Sequence, residues 1–367
     1  MELVAALTIA AATAAWSQGL PNAAPGPAAP ANPSKDDRFR HDARDELLTG
    51  TRLTRSGALR EAIPHLLAAR AAGEDPYATG VNLAICYVGT GANAQAVQLL
   101  ESLRASGYRT PATATLLIQA YIATNRPSDA YRLLNAVSSA APEDETIFAY
   151  AADACTDYRQ FDLGLRMMDL GLAKLPSSAR LHYEKALFLA QLGSIEEARP
   201  EFDRAAQIDG DGYIGYLSRV QKDLYNDDLK GANLLLEQAI HSGRNDYRML
   251  SLLGTVLLQE GAAPGDPRFA EAQSALEESA RERPDFSATQ IALGKIDLML
   301  ARYGDAVVHL EIARAIEPEN PAVYTSLAVA YRRLGERQKA SQVSAELGRL
   351  LNRQSPKAPP PAGPARH

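Results

Sequence analysis

The residues that could do chemistry in this chain are few and widely spaced. Six histidines occur in 367 residues, and no two of them form an H-x-x-x-H pair. The two cysteines, Cys86 and Cys155, form no C-x-x-C pair, so neither residue type has the spacing of a zinc site. We therefore predict that the chain holds no metal ion and no cofactor.

Two aspartates in the segment 209–212 (DGDG) resemble the start of a calcium-binding loop. Such a loop needs a third oxygen ligand and then a glycine at its sharp turn, but Tyr213 and Ile214 follow instead. We interpret the segment as a turn. Because glycine-rich phosphate loops, G-x-S-x-G and dinucleotide-binding motifs are also absent from the sequence, we predict that the chain is not an enzyme.

Composition is that of a globular protein, with 46% hydrophobic and 22% charged residues and a net charge of −6. Binding to nucleic acid without sequence preference needs a concentrated basic surface, and no long run of either charge occurs. We therefore predict no nucleic-acid partner.

Both ends of the chain differ in composition from its middle. Residues 3–16 are an apolar run that suits the core of a signal peptide, although Glu2 precedes it where a basic residue is expected. We predict a signal peptide over 1–17, a Pro/Ala-rich linker over 18–35 and a Pro-rich tail over 355–367. This predicts a periplasmic or secreted protein with no stable membrane span after processing. The alternative is a cytoplasmic protein that keeps the apolar segment as an N-terminal helix.

The middle of the chain is periodic, which determines what could position any functional residue. Small residues recur every 34 residues, with one interval of 40 that reflects an insertion at 261–268. These residues are Ala62, Ala96, Ala130, Gly164, Ala198, Ala232, Ala272, Ala306 and Ala340. Each repeat holds two amphipathic stretches with helical spacing, so the period predicts an all-α array over 36–354. The nine repeats are 43–76, 77–110, 111–144, 145–178, 179–212, 213–246, 247–286, 287–320 and 321–354.

We number positions within each repeat from its first residue, keeping the small residue of the 34-residue series at position 20 throughout. Position 8 is mostly small, as in Gly50, Gly254 and Gly294, so that two antiparallel helices can approach closely. Position 24 is large and apolar and position 11 is aromatic in several repeats. Prolines that prevent continuation of the helix stand at position 32, namely Pro142, Pro176, Pro284 and Pro318.

This pattern resembles the tetratricopeptide repeat. The resemblance implies a right-handed α-solenoid of helix pairs, in which positions 2, 5, 9 and 12 of the first helices line a concave groove. The side chains there are apolar, acidic and basic in turn along the chain. The candidate partner-binding residues are Val81, Ile85, Gln119, Asp153, Tyr183, Leu217, Gln221, Arg248, Ile291, Lys295 and Arg332.

Other side chains are predicted to be structural. Both cysteines fall on inward-facing positions of first helices, which predicts buried thiols rather than a disulfide. His65 and His309 share position 23 of second helices and are predicted to be solvated. Chaperone-adaptor members of the family hold a terminal carboxylate with Lys at position 5 and Asn at position 9. Neither residue occurs at those positions in this sequence, so that clamp is not expected.

The sequence therefore predicts a non-enzymatic scaffold that binds a peptide or helix of a protein partner in its groove, in cell-envelope assembly. Two alternatives remain open: a cytoplasmic regulatory or assembly module with an uncleaved apolar helix, and a substrate-recognition subunit of a separately encoded enzyme. The partner, the pathway and the oligomeric state are not specified by the sequence.

Overall fold

A computed structural model of the protein describes residues 35–141 and 143–354. Within these ranges the backbone consists of helices and turns, with no strand. The predicted signal peptide, all but the last residue of the predicted linker, the predicted tail and Pro142 lie outside the described residues. None of the described helices is long and apolar enough to cross a membrane.

The chain divides into two compact units, and the division falls between Ser218 and Arg219. We call residues 35–218 the N-terminal unit and residues 219–354 the C-terminal unit. The division lies inside one helix, in the predicted sixth repeat. Arg219 and Asp223 stand there at positions 7 and 11, which are apolar in most other repeats, so the division coincides with a departure from the repeat pattern.

Ten helices lie wholly in the N-terminal unit, and an eleventh spans the division. They are α1 (Lys35–Arg55), α2 (Leu59–Ala71), α3 (Pro76–Gly89), α4 (Asn93–Ala105), α5 (Pro111–Ala123), α6 (Pro127–Ala140), α7 (Thr146–Asp157), α8 (Phe161–Leu172), α9 (Ala179–Gln191), α10 (Ile195–Asp209) and α11 (Tyr213–Tyr225). Odd-numbered helices are the first helices of the repeats and even-numbered helices are the second helices.

The C-terminal unit continues the same alternation. Its helices after α11 are α12 (Leu229–His241), α13 (Tyr247–Gln259), α14 (Pro267–Glu282), α15 (Ser287–Met299), α16 (Tyr303–Ile316), α17 (Pro321–Arg333) and α18 (Arg337–Gln354). The all-α fold predicted from the 34-residue period is thus confirmed as a solenoid of helix pairs.

Short polar side chains begin many of the first helices. The Asp75 carboxylate accepts hydrogen bonds from the Tyr77 and Ala78 backbone N–H groups at the start of α3. Thr110, Ser178 and Asp246 cap α5, α9 and α13 in the same way. These caps satisfy N–H groups that have no partner within the helix, so they fix where each first helix begins.

Three kinds of helix contact build the N-terminal unit. First helices pack on the second helix of their own repeat, as α1 does on α2 and α9 on α10. Second helices pack on the next first helix, as α2 does on α3 and α8 on α9, and consecutive first helices also touch, as α3, α5 and α7 do. The large apolar residues at position 24, including Leu66, Leu100 and Leu134, are fully buried between these helices.

Small residues at position 8 allow the helices of a pair to approach. A Cβ atom added at Gly50 would lie 2.6 Å from Leu66 Cγ, and one added at Gly294 would lie 2.6 Å from Leu310 Cγ. At Gly254 it would lie 2.4 Å from Leu276 Cγ and 2.9 Å from the Ala272 carbonyl oxygen. The predicted role of position 8 is confirmed in these three repeats, because each glycine packs directly against position 24 of its partner helix.

Turns end the helices where the sequence predicts them. Pro176, Pro284 and Pro318 all lie between helices rather than inside them. The insertion 261–268 forms the turn between α13 and α14 and the first two residues of α14. Asp266 caps α14 by accepting from the Arg268 N–H and also holds the Arg268 guanidinium at 2.7 Å. The insertion is therefore an ordered connection.

Candidate functional site

The histidines that we predicted to be solvated instead bridge the two helices of one repeat. His65 Nδ1 lies 2.6 Å from Glu46 Oε2, and His309 Nδ1 lies 2.7 Å from Gln290 Oε1. A third bridge has the reverse order, since His182 stands on the first helix and its ring contacts Glu201 on the second. The prediction was wrong because positions 4 and 23 face each other across the pair, which one-helix periodicity does not reveal.

The cysteines are buried and free of any disulfide, as predicted. Thr54 Oγ1 lies 3.3 Å from Cys86 Sγ, and burial raises the pKa of the Cys155 thiol to about 12. A thiol with so high a pKa carries almost no thiolate at neutral pH and is a poor nucleophile. Both side chains therefore belong to the apolar core.

Carboxylates form structural contacts rather than an ion site. Asp209 Oδ2 accepts a hydrogen bond from the Gly215 N–H at 2.9 Å, so the DGDG segment is a turn that caps α11. No group of three or more His, Cys, Asp or Glu residues that could hold a metal ion occurs in the part of the chain that the structure describes.

Asp297 is the most deeply buried carboxylate of the C-terminal unit to have a basic partner. It is 4% exposed, and Arg302 Nη2 lies 2.8 Å from its Oδ1. His309 Nε2 lies 3.7 Å from Oδ2. Burial raises the pKa of this carboxyl group, and the neighbouring Arg302 and His309 oppose that rise. Asp297 therefore joins α15 to the second helix of its repeat.

In the N-terminal unit, contact between consecutive first helices places equivalent positions side by side. Position 9 of α3, α5 and α7 is occupied by Ile85, Gln119 and Asp153, and all three side chains are half-buried. Val81 and Tyr183, at position 5, are buried at 6% and 8% exposure. The predicted surface in this unit is therefore a strip of partly exposed position-9 residues above a buried position-5 row. We call it the N-terminal strip.

The remaining candidates also include both buried and solvent-accessible side chains. Leu217, in the N-terminal unit, is buried. In the C-terminal unit, Gln221 and Ile291 are buried as well, whereas Arg248 and Lys295 are half-buried and Arg332 is exposed. Direct contact with a partner stays a prediction for all of these residues, and the three buried ones have little surface to offer a partner.

Two hydroxyls in the C-terminal unit add to this surface. Ser251 and Thr255 lie one turn apart on α13 at positions 5 and 9, are 0% and 7% exposed, and their oxygens have no hydrogen-bond partner in the described chain. Neither residue is among the candidates named above. The sequence signal was present, because both residues stand at positions that the resemblance places on the groove.

Comparisons with known proteins identify the repeat. A tetratricopeptide repeat family model matches residues 179–211, which form α9 and α10. No curated protein matches the sequence.

Solved structures resemble the chain at low sequence identity. One is a tetratricopeptide repeat protein from Parabacteroides merdae, with 16% identity and a TM-score of 0.49 over 70% of this chain and 98% of that chain. Another is the anaphase-promoting-complex assembly Cut9–Hcn1, with 15% identity and a TM-score of 0.47 over 74% of this chain and 55% of that chain. A third is YrrB, described as a tetratricopeptide repeat protein with an unusual peptide-binding site, with 16% identity and a TM-score of 0.35 over 51% of this chain and 93% of that chain.

The matched repeat is one of a series. Helix pairs with a small residue at position 8 and a large apolar residue at position 24 occur before and after it, as Gly50 with Leu66 and Gly294 with Leu310 show. Residues 179–211 are therefore a tetratricopeptide repeat, and the described chain on either side of it is an α-solenoid of helix pairs with the same packing pattern.

Proposed function

We propose that this protein is a scaffold that holds a peptide or helix of a protein partner against the exposed face of its first helices, and that it acts in assembly of the cell envelope. The proposal rests mainly on the N-terminal strip. Ile85, Gln119 and Asp153 stand on three consecutive first helices that touch each other, and each remains half-exposed although its helix is packed on neighbours.

The chemistry of the strip supports capture of an amphipathic segment. Ile85 offers apolar area, Gln119 offers both a donor and an acceptor, and Asp153 offers charge. An extended or helical segment that crosses these helices meets apolar and polar groups in turn, which is how grooves lined by helices select their ligands. A polar side chain on the strip contributes specificity more than affinity.

Site-specific photo-crosslinking tests this proposal. We would place a photoreactive amino acid at Gln119 on the N-terminal strip, and at Arg132 as the control. Arg132 lies on the second helix α6 and its side chain is 77% exposed. We expect one protein to be crosslinked through position 119 and not through position 132. Equal crosslinking at both positions, or none at 119, would refute binding at the strip.

The identity of the crosslinked protein separates the alternatives. An envelope protein supports the envelope role, and a catalytic subunit would instead make the array its substrate-recognition subunit. Location is tested separately by a reporter that is active only outside the cytoplasm, fused after residue 40. A silent fusion would remove the envelope half of the proposal, because the chain would then remain in the cytoplasm.

A further inference from the structure

The first helices of the C-terminal unit carry basic residues and no acidic residue on the face that corresponds to the N-terminal strip. Positions 2, 5, 9 and 12 of α13, α15 and α17 include Arg248, Lys295 and Arg332, and none of the twelve residues is Asp or Glu. Consecutive first helices pack on each other here as well, α13 on α15 and α15 on α17. Their positive charges are therefore gathered on neighbouring elements.

Lys295 is a charged residue of this face whose side chain has no partner within the described chain. Its side chain is half-buried and makes no ion pair or hydrogen bond with the described chain. Burial lowers the pKa of its ammonium group, because removal from water disfavours the charged form. Lysine is seldom buried without a partner, because removing its charge from water is costly.

The fold directs Lys295 away from the contact between α15 and its partner helix. Gly294, one residue earlier, faces Leu310 on the second helix of the repeat. One residue along an α-helix is a rotation of about 100°, so Lys295 points about a quarter-turn away from that contact. Asp297 comes two residues after Lys295, which places it on roughly the opposite side of the helix. Its carboxylate is already paired with Arg302.

Two unsatisfied hydroxyls lie on the neighbouring first helix. Ser251 Oγ and Thr255 Oγ1 are buried on α13, next to α15, without hydrogen-bond partners. Arg332, on the other neighbour α17, is exposed, and its Nε donates a hydrogen bond to the Ala328 carbonyl oxygen at 3.0 Å. A buried hydroxyl left without a partner destabilises the protein, so a ligand group that hydrogen-bonds to these oxygens is stabilised there.

We propose that this face, formed by Ser251, Thr255, Lys295 and Arg332, binds an acidic segment of a protein partner and receives a carboxylate at Lys295. We call it the C-terminal basic face. The inference rests on the proposed function and narrows it by naming the charge of the partner. The carboxylate pairs with the ammonium group, the hydroxyls donate hydrogen bonds, and Arg332 at the exposed edge steers the acidic segment toward the face.

The test compares two fluorescein-labelled peptides of equal length by fluorescence anisotropy with the full chain. One alternates leucine and glutamate, and the other has glutamine in place of each glutamate. We expect the glutamate peptide to bind about tenfold more tightly, which corresponds to about 1.4 kcal/mol. Raising the salt concentration should weaken its binding, because the pairing is partly exposed.

Variants identify the residues responsible. Lys295→Gln should weaken binding of the glutamate peptide about tenfold and Lys295→Arg should retain it, since the guanidinium keeps the charge. The matched control is Lys230→Gln, which removes an exposed lysine from the second helix α12. Thr255→Val should also weaken binding while leaving the free energy of unfolding unchanged or higher, because it removes an unsatisfied buried hydroxyl. If the Thr255 hydroxyl had only a structural role, its removal would not weaken binding while leaving the free energy of unfolding unchanged or higher.

Each other outcome has a defined meaning. Equal binding of the two peptides, no binding of the glutamate peptide, or equal losses in Lys295→Gln and Lys230→Gln would overturn the inference. If crosslinking at Gln119 still captures a partner in that case, the proposed function stands and only the charge preference is wrong. If crosslinking fails while the glutamate peptide binds through Lys295, the strip is wrong and the C-terminal basic face remains.

Discussion

Replacing Gly254 with alanine tests the close packing of a helix pair at position 8. The added Cβ would lie 2.4 Å from Leu276 Cγ and 2.9 Å from the Ala272 carbonyl oxygen, and the latter cannot move without shifting α14. Overpacking of this kind costs about 1–3 kcal/mol. Removing a glycine from a helix interior returns about 1 kcal/mol, so the free energy of unfolding should fall by up to about 2 kcal/mol.

Gly348→Ala is the matched control for Gly254→Ala. Gly348 lies inside α18 and nothing stands within 4 Å of its added Cβ, so this variant should gain about 1 kcal/mol from helix propensity alone. The propensity contribution cancels between the two variants, and the difference between them isolates the packing cost of about 1–3 kcal/mol.

Urea unfolding followed by circular dichroism measures both variants. Because repeat arrays need not unfold in one step, hydrogen exchange of α13 and α14 would show where stability is lost. Combining Gly254→Ala with Leu276→Ala should cost less than the sum of the two single changes, since the smaller side chain makes room. Equal stability of Gly254→Ala and Gly348→Ala would refute close approach at position 8.

Two further predictions concern the core and its buried charge. Leu66→Ala should lower the free energy of unfolding by about 2–5 kcal/mol and its neighbour Leu67→Ala by about 0.5 kcal/mol, because Leu66 is fully buried and Leu67 is 42% exposed; similar urea midpoints would contradict this placement. The pKa of Asp297 is raised by burial, so the folded state binds its proton more tightly than the unfolded state and stability falls as pH rises above the ordinary aspartate value of about 3.9. Asp297→Asn removes that contribution, so the urea midpoint of the wild type should fall relative to that of the variant as the pH rises from about 4 to about 7. Parallel pH profiles of the two midpoints would show that Asp297 does not titrate in this way.

The repeat pattern was sufficient to predict the helix pairs but not the contacts between their polar side chains. Gly254 and Leu276 could be placed from the period alone, because small and large residues at fixed positions have one compact arrangement. The bridge between His65 and Glu46 could not, since the two residues lie 19 apart in sequence and meet only when the helices pack. The sequence also did not predict which residues of the candidate surface are buried. Ile291 and Lys295 lie on the same helix, but their exposure differs because their neighbours differ.

The division of the chain at Arg219 had a partial signal. Charged residues at positions 7 and 11 of the sixth repeat interrupt its apolar pattern. The sequence does not show, however, that one compact unit ends there and the next begins. The sequence also showed that Ser251 and Thr255 place hydroxyl groups on a first helix. Their lack of hydrogen-bond partners is a property of the packed structure, because it depends on what surrounds each oxygen.

The central claim is that a partner binds to the exposed face of the first helices. Charge reversal there tests it most directly, by measuring how much partner the full chain captures in Asp153→Lys and Lys295→Glu. The control is Lys230→Glu, which reverses an exposed charge on a second helix. We predict that both face variants lose about tenfold in capture and that the control captures as much as the wild type. Unchanged capture by both face variants would contradict the account.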